Sequence, residues 1–325
     1  MAAATAALLP AVLLGAALAV PASATSASAA VSGSAANPRD ARAAAAKSAG
    51  FKVAAGVGHA AVNWQSGTIA VGGSETWTWN NAAADAIYEV GIAPKDVEEY
   101  NQCALRVARS WYVKMPTGQR QFRFTVVNGA DHHQACQGKI LLNWAVPGTS
   151  FSSGTLNPGA TTSVTWRHAN PTKVYVVGLN PTVNTNSNCT LEITSTTYTQ
   201  LVNGEKQFKF TAKNIGTVAC SGTIQLAWLD TIDTSELWFD DPRAVSPNAK
   251  DTLGWFDYPV GATAVYVPGL SLKSTSTAAG CQFRILGYDF GAFLRFQEGM
   301  SGSLWMDVQN TGSVLCTPRI QLAKM

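Results

Sequence analysis

The chain has 325 residues, of which 46% are hydrophobic and only 13% charged, a balance that excludes a disordered polypeptide and points to packed globular cores. Its net charge of +3 supplies no clustered basic field, which excludes nucleic acid as the partner such a composition would serve.

In chain order, residues 1–29 read as a cleaved export signal. Met1 to Ala30 carry no charged side chain, residues 6–20 form an apolar run rich in Ala and Leu, and Pro21-Ala22-Ser23-Ala24 and Ser26-Ala27-Ser28-Ala29 both offer a small-x-small cleavage pattern. The basic start usual for such a signal is missing. The apolar run is too short and too rich in Ala to span a bilayer, and no later stretch is a transmembrane candidate. Residues 30–63 are Ala, Ser and Gly punctuated by Arg39, Arg42, Lys47 and Lys52, the composition of a spacer.

A repeat then organises the rest of the chain, with units at 64–147, 148–231 and 232–325. Ile87-Tyr88-Glu89-Val90-Gly91, Val174-Tyr175-Val176-Val177-Gly178 and Val265-Tyr266-Val267-Pro268-Gly269 correspond, followed in order by Cys103, Cys189 and Cys281. Tyr112, Tyr198 and Tyr288 come next, then Cys136, Cys220 and Cys316, and the units close on Ile140-Leu141-Leu142, Ile224-Gln225-Leu226 and Ile320-Gln321-Leu322. Phe122, Phe124 and Val126 alternate with Arg123 and Thr125, the period of a half-buried strand, and helical periodicity is absent. Asn128-Gly129, Asn214-Ile215-Gly216 and Asn310-Thr311-Gly312 read as hairpin turns that tolerate positive φ. The expected fold is all-β: three tandem Ig-like β-sandwiches of five or six strands, each with one internal disulfide.

Six cysteines allow fifteen pairings, and the repeat selects Cys103–Cys136, Cys189–Cys220 and Cys281–Cys316. If the two strands of a pair flanked a third in one sheet, their Cα atoms would stand roughly 9.5 Å apart, beyond the ~7 Å a disulfide tolerates. The pair therefore joins facing sheets or ties loops at the strand ends. Each bridge is worth roughly 3 to 4 kcal/mol by loop entropy.

The stretch Phe208-Lys209-Phe210-Thr211-Ala212-Lys213-Asn214-Ile215-Gly216 resembles the bacterial Ig-like modules of cell-surface and adhesion proteins over the last third of each unit. That resemblance implies surface attachment or ligand presentation without enzymatic activity, although such modules usually lack this disulfide.

Chemistry-bearing clusters are few. His132-His133 stand adjacent in the first unit, where neighbouring strand residues point to opposite faces and make a poor metal site. Asp96, Glu98 and Glu99 read as a solvated loop. Asp230, Asp233, Glu236, Asp240 and Asp241 gather at the second junction, the oxygen chemistry of calcium without the ligand spacing of a calcium loop. Of ten tryptophans, the repeat assigns Trp77, Trp79, Trp144, Trp166, Trp228, Trp255 and Trp305 to cores. Trp64, Trp111 and Trp238 have no counterparts and are the candidate binding aromatics. No catalytic motif is present, neither G-x-S-x-G nor H-E-x-x-H, and no cofactor or resident metal is expected. These readings anticipate a secreted, non-enzymatic binding or structural protein that contacts an extracellular protein or glycan, with a carbohydrate-binding protein as the alternative and a hydrolase behind both.

Overall fold

The computed structural model describes residues 57–95, 103–129, 134–182, 184, 186–232, 243–258, 264–274, 279–295 and 299–325. The export signal and most of the spacer lie outside these residues, as do Asp96, Glu98, Glu99, His132, His133, Asp233, Glu236, Trp238, Asp240 and Asp241. All the named elements are strands.

The first repeat contributes β1 (Val57–Gln65), β2 (Ser74–Trp79), β3 (Ile87–Lys95), β4 (Cys103–Lys114), β5 (Arg120–Asn128) and β6 (Gln137–Ala145). The second contributes β7 (Thr149–Ser152), β8 (Thr161–Ala169), β9 (Lys173–Pro181), β10 (Cys189–Gln200), β11 (Lys206–Asn214) and β12 (Gly222–Asp230). The third contributes β13 (Lys250–Tyr258), β14 (Tyr266–Ser274), β15 (Cys281–Arg295), β16 (Gly299–Asn310) and β17 (Cys316–Lys324). Each repeat is a two-layer unit. In the first, sheet β1-β6-β3 faces strands β2-β5-β4; in the second, β7-β12-β9 faces β8-β11-β10; in the third, β14-β17 faces β13-β16-β15. Aromatic side chains fill the space between layers, with Tyr88 stacked on Phe122 at 5.4 Å and Tyr175 on Phe208 at 5.2 Å.

This topology places the two cysteines of a repeat on opposite layers, one opening the long strand and the other leading into the last. Cys189–Cys220 and Cys281–Cys316 are bonded, with Cα separations of 5.5 and 5.8 Å. Cys103 and Cys136 hold the same places and are buried thiols in side-chain contact, unlike the bridge that the repeat leads one to expect.

The asparagine turns differ from the sequence reading. The strands on either side of them belong to different sheets and do not pair, and neither asparagine nor glycine there takes positive φ. Instead the asparagine side chain is a buried cross-link. Asn128 Nδ2 donates to Ile69 O and Gln134 O, Asn214 Nδ2 to Leu156 O and Val218 O, and Asn310 Nδ2 to Val245 O and Val314 O. The Gly216 N–H donates to Asn214 Oδ1, and a Cβ at that position would crowd this oxygen at 3.2 Å.

The repeats are not beads on a string. The three long strands pair with one another in a cycle, so that the layers containing them make one continuous sheet. The second half of β4 pairs with the first half of β10 (Trp111↔Glu192 to Lys114↔Cys189). The second half of β10 pairs with the first half of β15 (Thr196↔Ile285 to Gln200↔Cys281). The second half of β15 returns to the first half of β4 (Asp289↔Arg106 to Ala292↔Cys103). Each strand reaches two neighbours because it carries a bulge at its middle, between Val107 and Arg109, Ile193 and Ser195, and Ile285 and Gly287, and a bulge bends a strand and tightens its twist. The register also corrects the repeat alignment. Tyr112 opposes Leu191, Tyr198 opposes Phe283, and Phe290, not Tyr288, opposes Leu105.

The other layers meet on the axis of this cycle. Ile87, Leu141 and Ala145 from the first repeat join Val174, Val176, Ala227 and Leu229 from the second and Val265, Val267, Ala323 and Met325 from the third in one apolar cluster. A Cβ on Gly178, Gly269 or Gly91 would lie 2.9, 3.1 or 3.3 Å from Ile87, Val174 or Val265 respectively. The missing side chain at these matching positions lets the start of one repeat's strand press close against the middle of the next. Arg120 strengthens the joint between the first and second repeats. Its buried guanidinium donates to Ala86 O, Leu179 O and Gln225 Oε1 and lies 4.5 Å over the Tyr112 ring. Across the third joint Arg106 binds Asp289 through Nε at 2.7 Å and Asp307 through Nη2 at 2.6 Å.

Candidate functional site

The tryptophans without counterparts serve the scaffold where they are described. Trp64 is half-buried and stands edge-on to Trp79 at 6.0 Å and against Phe124 at 6.1 Å, closing the end of the first sandwich. Trp111 lies under the Arg109 guanidinium, 4.7 Å from its ring centre, and Arg109 binds Glu192 of the second repeat at 3.0 Å. Both therefore join structural elements, and Trp238 falls outside the described residues.

Among the described residues, the exposed large aromatic is one that the repeat assigned to a core. Trp228 is 42% exposed, while its counterpart Trp144 is 3% exposed. The cause is the length of the edge strand beside it. In the first repeat β1 runs along β6 far enough to pair Gly58 with Trp144. In the second, β7 is only four residues long and its pairing ends at Thr149↔Leu226, short of Trp228. The Gly148 backbone lies against the Trp228 benzo ring there, and the rest of the mouth of that sandwich stays open. Trp228 stacks on Trp166 with ring centres 6.1 Å apart and planes 11° from parallel, and His168 stands edge-on to Trp166 at 5.8 Å. Trp166 and Trp305 are half-buried, which departs from the core assignment in the same direction.

His168 also lines an open groove of 850 Å³ between the end of β8 and the β10–β11 hairpin, together with Arg167, Asn170, Glu205, Lys206 and Gln207. These are planar amide, guanidinium and carboxylate groups beside an imidazole and an ammonium, a dense set of donors and acceptors. Lys206 donates to Ser271 Oγ at 3.2 Å, and burial lowers its ammonium pKa. A second groove of 530 Å³ follows the first joint beside Arg109, Glu192, Lys213 and Gly216. There Glu192 is bound by Arg109 and lies opposite Lys213 on the neighbouring strand, so its charge is already matched within the fold.

A carboxyl group also sits near the axis. Glu89 pairs across the sheet with Asn143, in the position that Val176–Ala227 and Val267–Ala323 hold in the other repeats. It keeps some accessible surface but is densely enclosed, and burial pushes its carboxyl up to about 8. The sequence showed a valine replaced by glutamate at a repeated position, a signal that marks the site in retrospect.

Asp230, the described member of the acidic junction, binds Lys173. Among the described residues no group of three His, Cys, Asp or Glu side chains is placed to hold a metal ion, and no helix is long and apolar enough to cross a membrane. No family model matches the chain, and no curated protein or solved structure is similar to it.

Proposed function

We propose that this chain is a non-enzymatic extracellular binding protein, a rigid ring of three repeats that presents its ligand surface at the open end of the second sandwich. The observation that carries the reading is Trp228, a large aromatic left 42% exposed at a position that the first repeat covers. Burying an indole is worth a few kcal/mol, so a scaffold that covers Trp144 and leaves Trp228 open forgoes stability at one place. Tryptophan is enriched among the few residues that carry most of the energy at binding surfaces. The bonded cysteine pairs fit an oxidising compartment, and the uncharged leader fits export.

The test is adsorption of the fluorescently labelled full chain to intact bacterial and eukaryotic cells. Saturable binding that unlabelled chain displaces is expected, and lack of saturable binding to any surface refutes the proposal. Hydrolytic turnover abolished by a single substitution would overturn the non-enzymatic part.

A further inference from the structure

We infer that the open end of the second sandwich is a carbohydrate site, in which the exposed part of Trp228, backed by Trp166, supplies the stacking surface and the adjoining groove supplies the hydroxyl contacts. This inference rests on the binding reading above and names its ligand class. A pyranose ring has two chemically different aspects, an apolar face of C–H bonds and an equatorial rim of hydroxyls that both donate and accept. A protein that holds it needs a flat π surface beside planar polar groups.

The structure provides both in sequence. From Trp228 the aromatic surface passes to Trp166 at 6.1 Å and from Trp166 to His168 at 5.8 Å. His168 is exposed and belongs to the groove wall, where Arg167, Asn170, Glu205 and Gln207 present guanidinium, amide and carboxylate groups. Gln207 Nε2 donates to Glu205 Oε1 at 3.2 Å, which fixes the two as a pair. Two surface patches thus adjoin through His168, one aromatic and one polar. The groove is open, and an open groove admits a chain from either end. The occupant we assign is therefore a polysaccharide. Trp166, which backs Trp228, is itself packed from below: Phe151 stands edge-on to it at 6.3 Å and lies tilted on Phe210 at 5.9 Å, and such packing limits the entropy lost on binding.

The experiment uses the oxidised full chain and a panel of insoluble polysaccharides, cellulose, chitin and peptidoglycan, with partition constants measured by depletion. Retention on at least one is expected. Trp228→Ala should weaken that partition at least tenfold, Trp228→Phe less, and His168→Ala several-fold. Val71→Ser, which alters an equally exposed apolar residue in the first repeat, should leave it unchanged. Near-UV circular dichroism and the melting temperature report whether each variant is folded. If Trp228→Ala fails to fold, the exposed His168→Ala and Arg167→Ala decide in its place. Retention that is indifferent to these substitutions overturns the site, and no retention on any polysaccharide overturns the ligand class. In the second case saturable binding to cells that protease treatment of the cells removes would leave the binding reading standing with a protein partner, whereas no binding to cells would end both.

Discussion

Glu89→Gln removes the side-chain carboxyl near the ring axis and keeps its size. In the folded chain burial raises this carboxyl from the usual 4.5 to about 8, while in the unfolded chain it titrates near the ordinary value. The folded state therefore binds the proton more tightly. Its contribution is fully present below about pH 4.5 and is lost as pH rises towards the folded pKa, because the unfolded chain gains its charge first. Linkage with one proton gives a loss of roughly 3.5 kcal/mol between pH 5 and pH 8. Chemical denaturation of both proteins at half-unit intervals across that range measures it, and the difference between wild type and variant removes the titration of histidines common to both. The difference should change by several kcal/mol and flatten above pH 8. Glu89→Val, which gives the first repeat the residue of the other two, should be more stable than wild type at pH 8. Parallel pH profiles for wild type and Glu89→Gln would show that Glu89 is solvated, and the axial packing as described would be wrong.

The joints between repeats give further tests. Gly178→Ala places a methyl 2.9 Å from Ile87, and should destabilise by about 1 to 3 kcal/mol through overpacking, whereas the same change at Gly204, which is open to space but has positive φ, acts only through local backbone strain; equal loss of melting temperature with a normal axial environment would contradict the close approach. Arg120→Met leaves Ala86 O and Leu179 O without their donor and should cost about 3 kcal/mol, measured by urea unfolding, with a loss below 1 kcal/mol counting against the buried network. Air-oxidised protein should show no titratable thiol after denaturation, because Cys103 and Cys136 stand in contact and can close as the other pairs do; two thiols per chain would show that this pair remains reduced.

Much of this fold was legible because three diverged copies constrained one another. Phe122, Phe124 and Val126 announced a half-buried strand, and strand spacing alone argued that each cysteine pair could not flank a third strand. The ring was harder to see. Bulges at Val107, Ile193 and Ile285 leave no strong local pattern, yet they let β4, β10 and β15 each pair with two partners. Two signals did exist. Val174-Tyr175-Val176-Val177 is apolar without alternation, which is how a strand covered on both faces reads, and Gly91, Gly178 and Gly269 recur at one position, which marks close approach. Trp228 was misplaced for a different reason. The repeat identifies which residues correspond, but exposure depends on the neighbour, and here the neighbour is the short strand β7. Trp64 and Trp111 show the other side of the same point, since a residue unique to one repeat can also pack that repeat against its own surroundings, as both do here.

The central claim is that the three repeats form one closed ring and share a core. Differential scanning calorimetry of the intact oxidised chain tests it most directly. If the repeats share the axial cluster and one continuous sheet, the chain unfolds in a single transition whose calorimetric and van't Hoff enthalpies agree. Three resolvable transitions, each matching the melting of a separately expressed repeat, would contradict the ring.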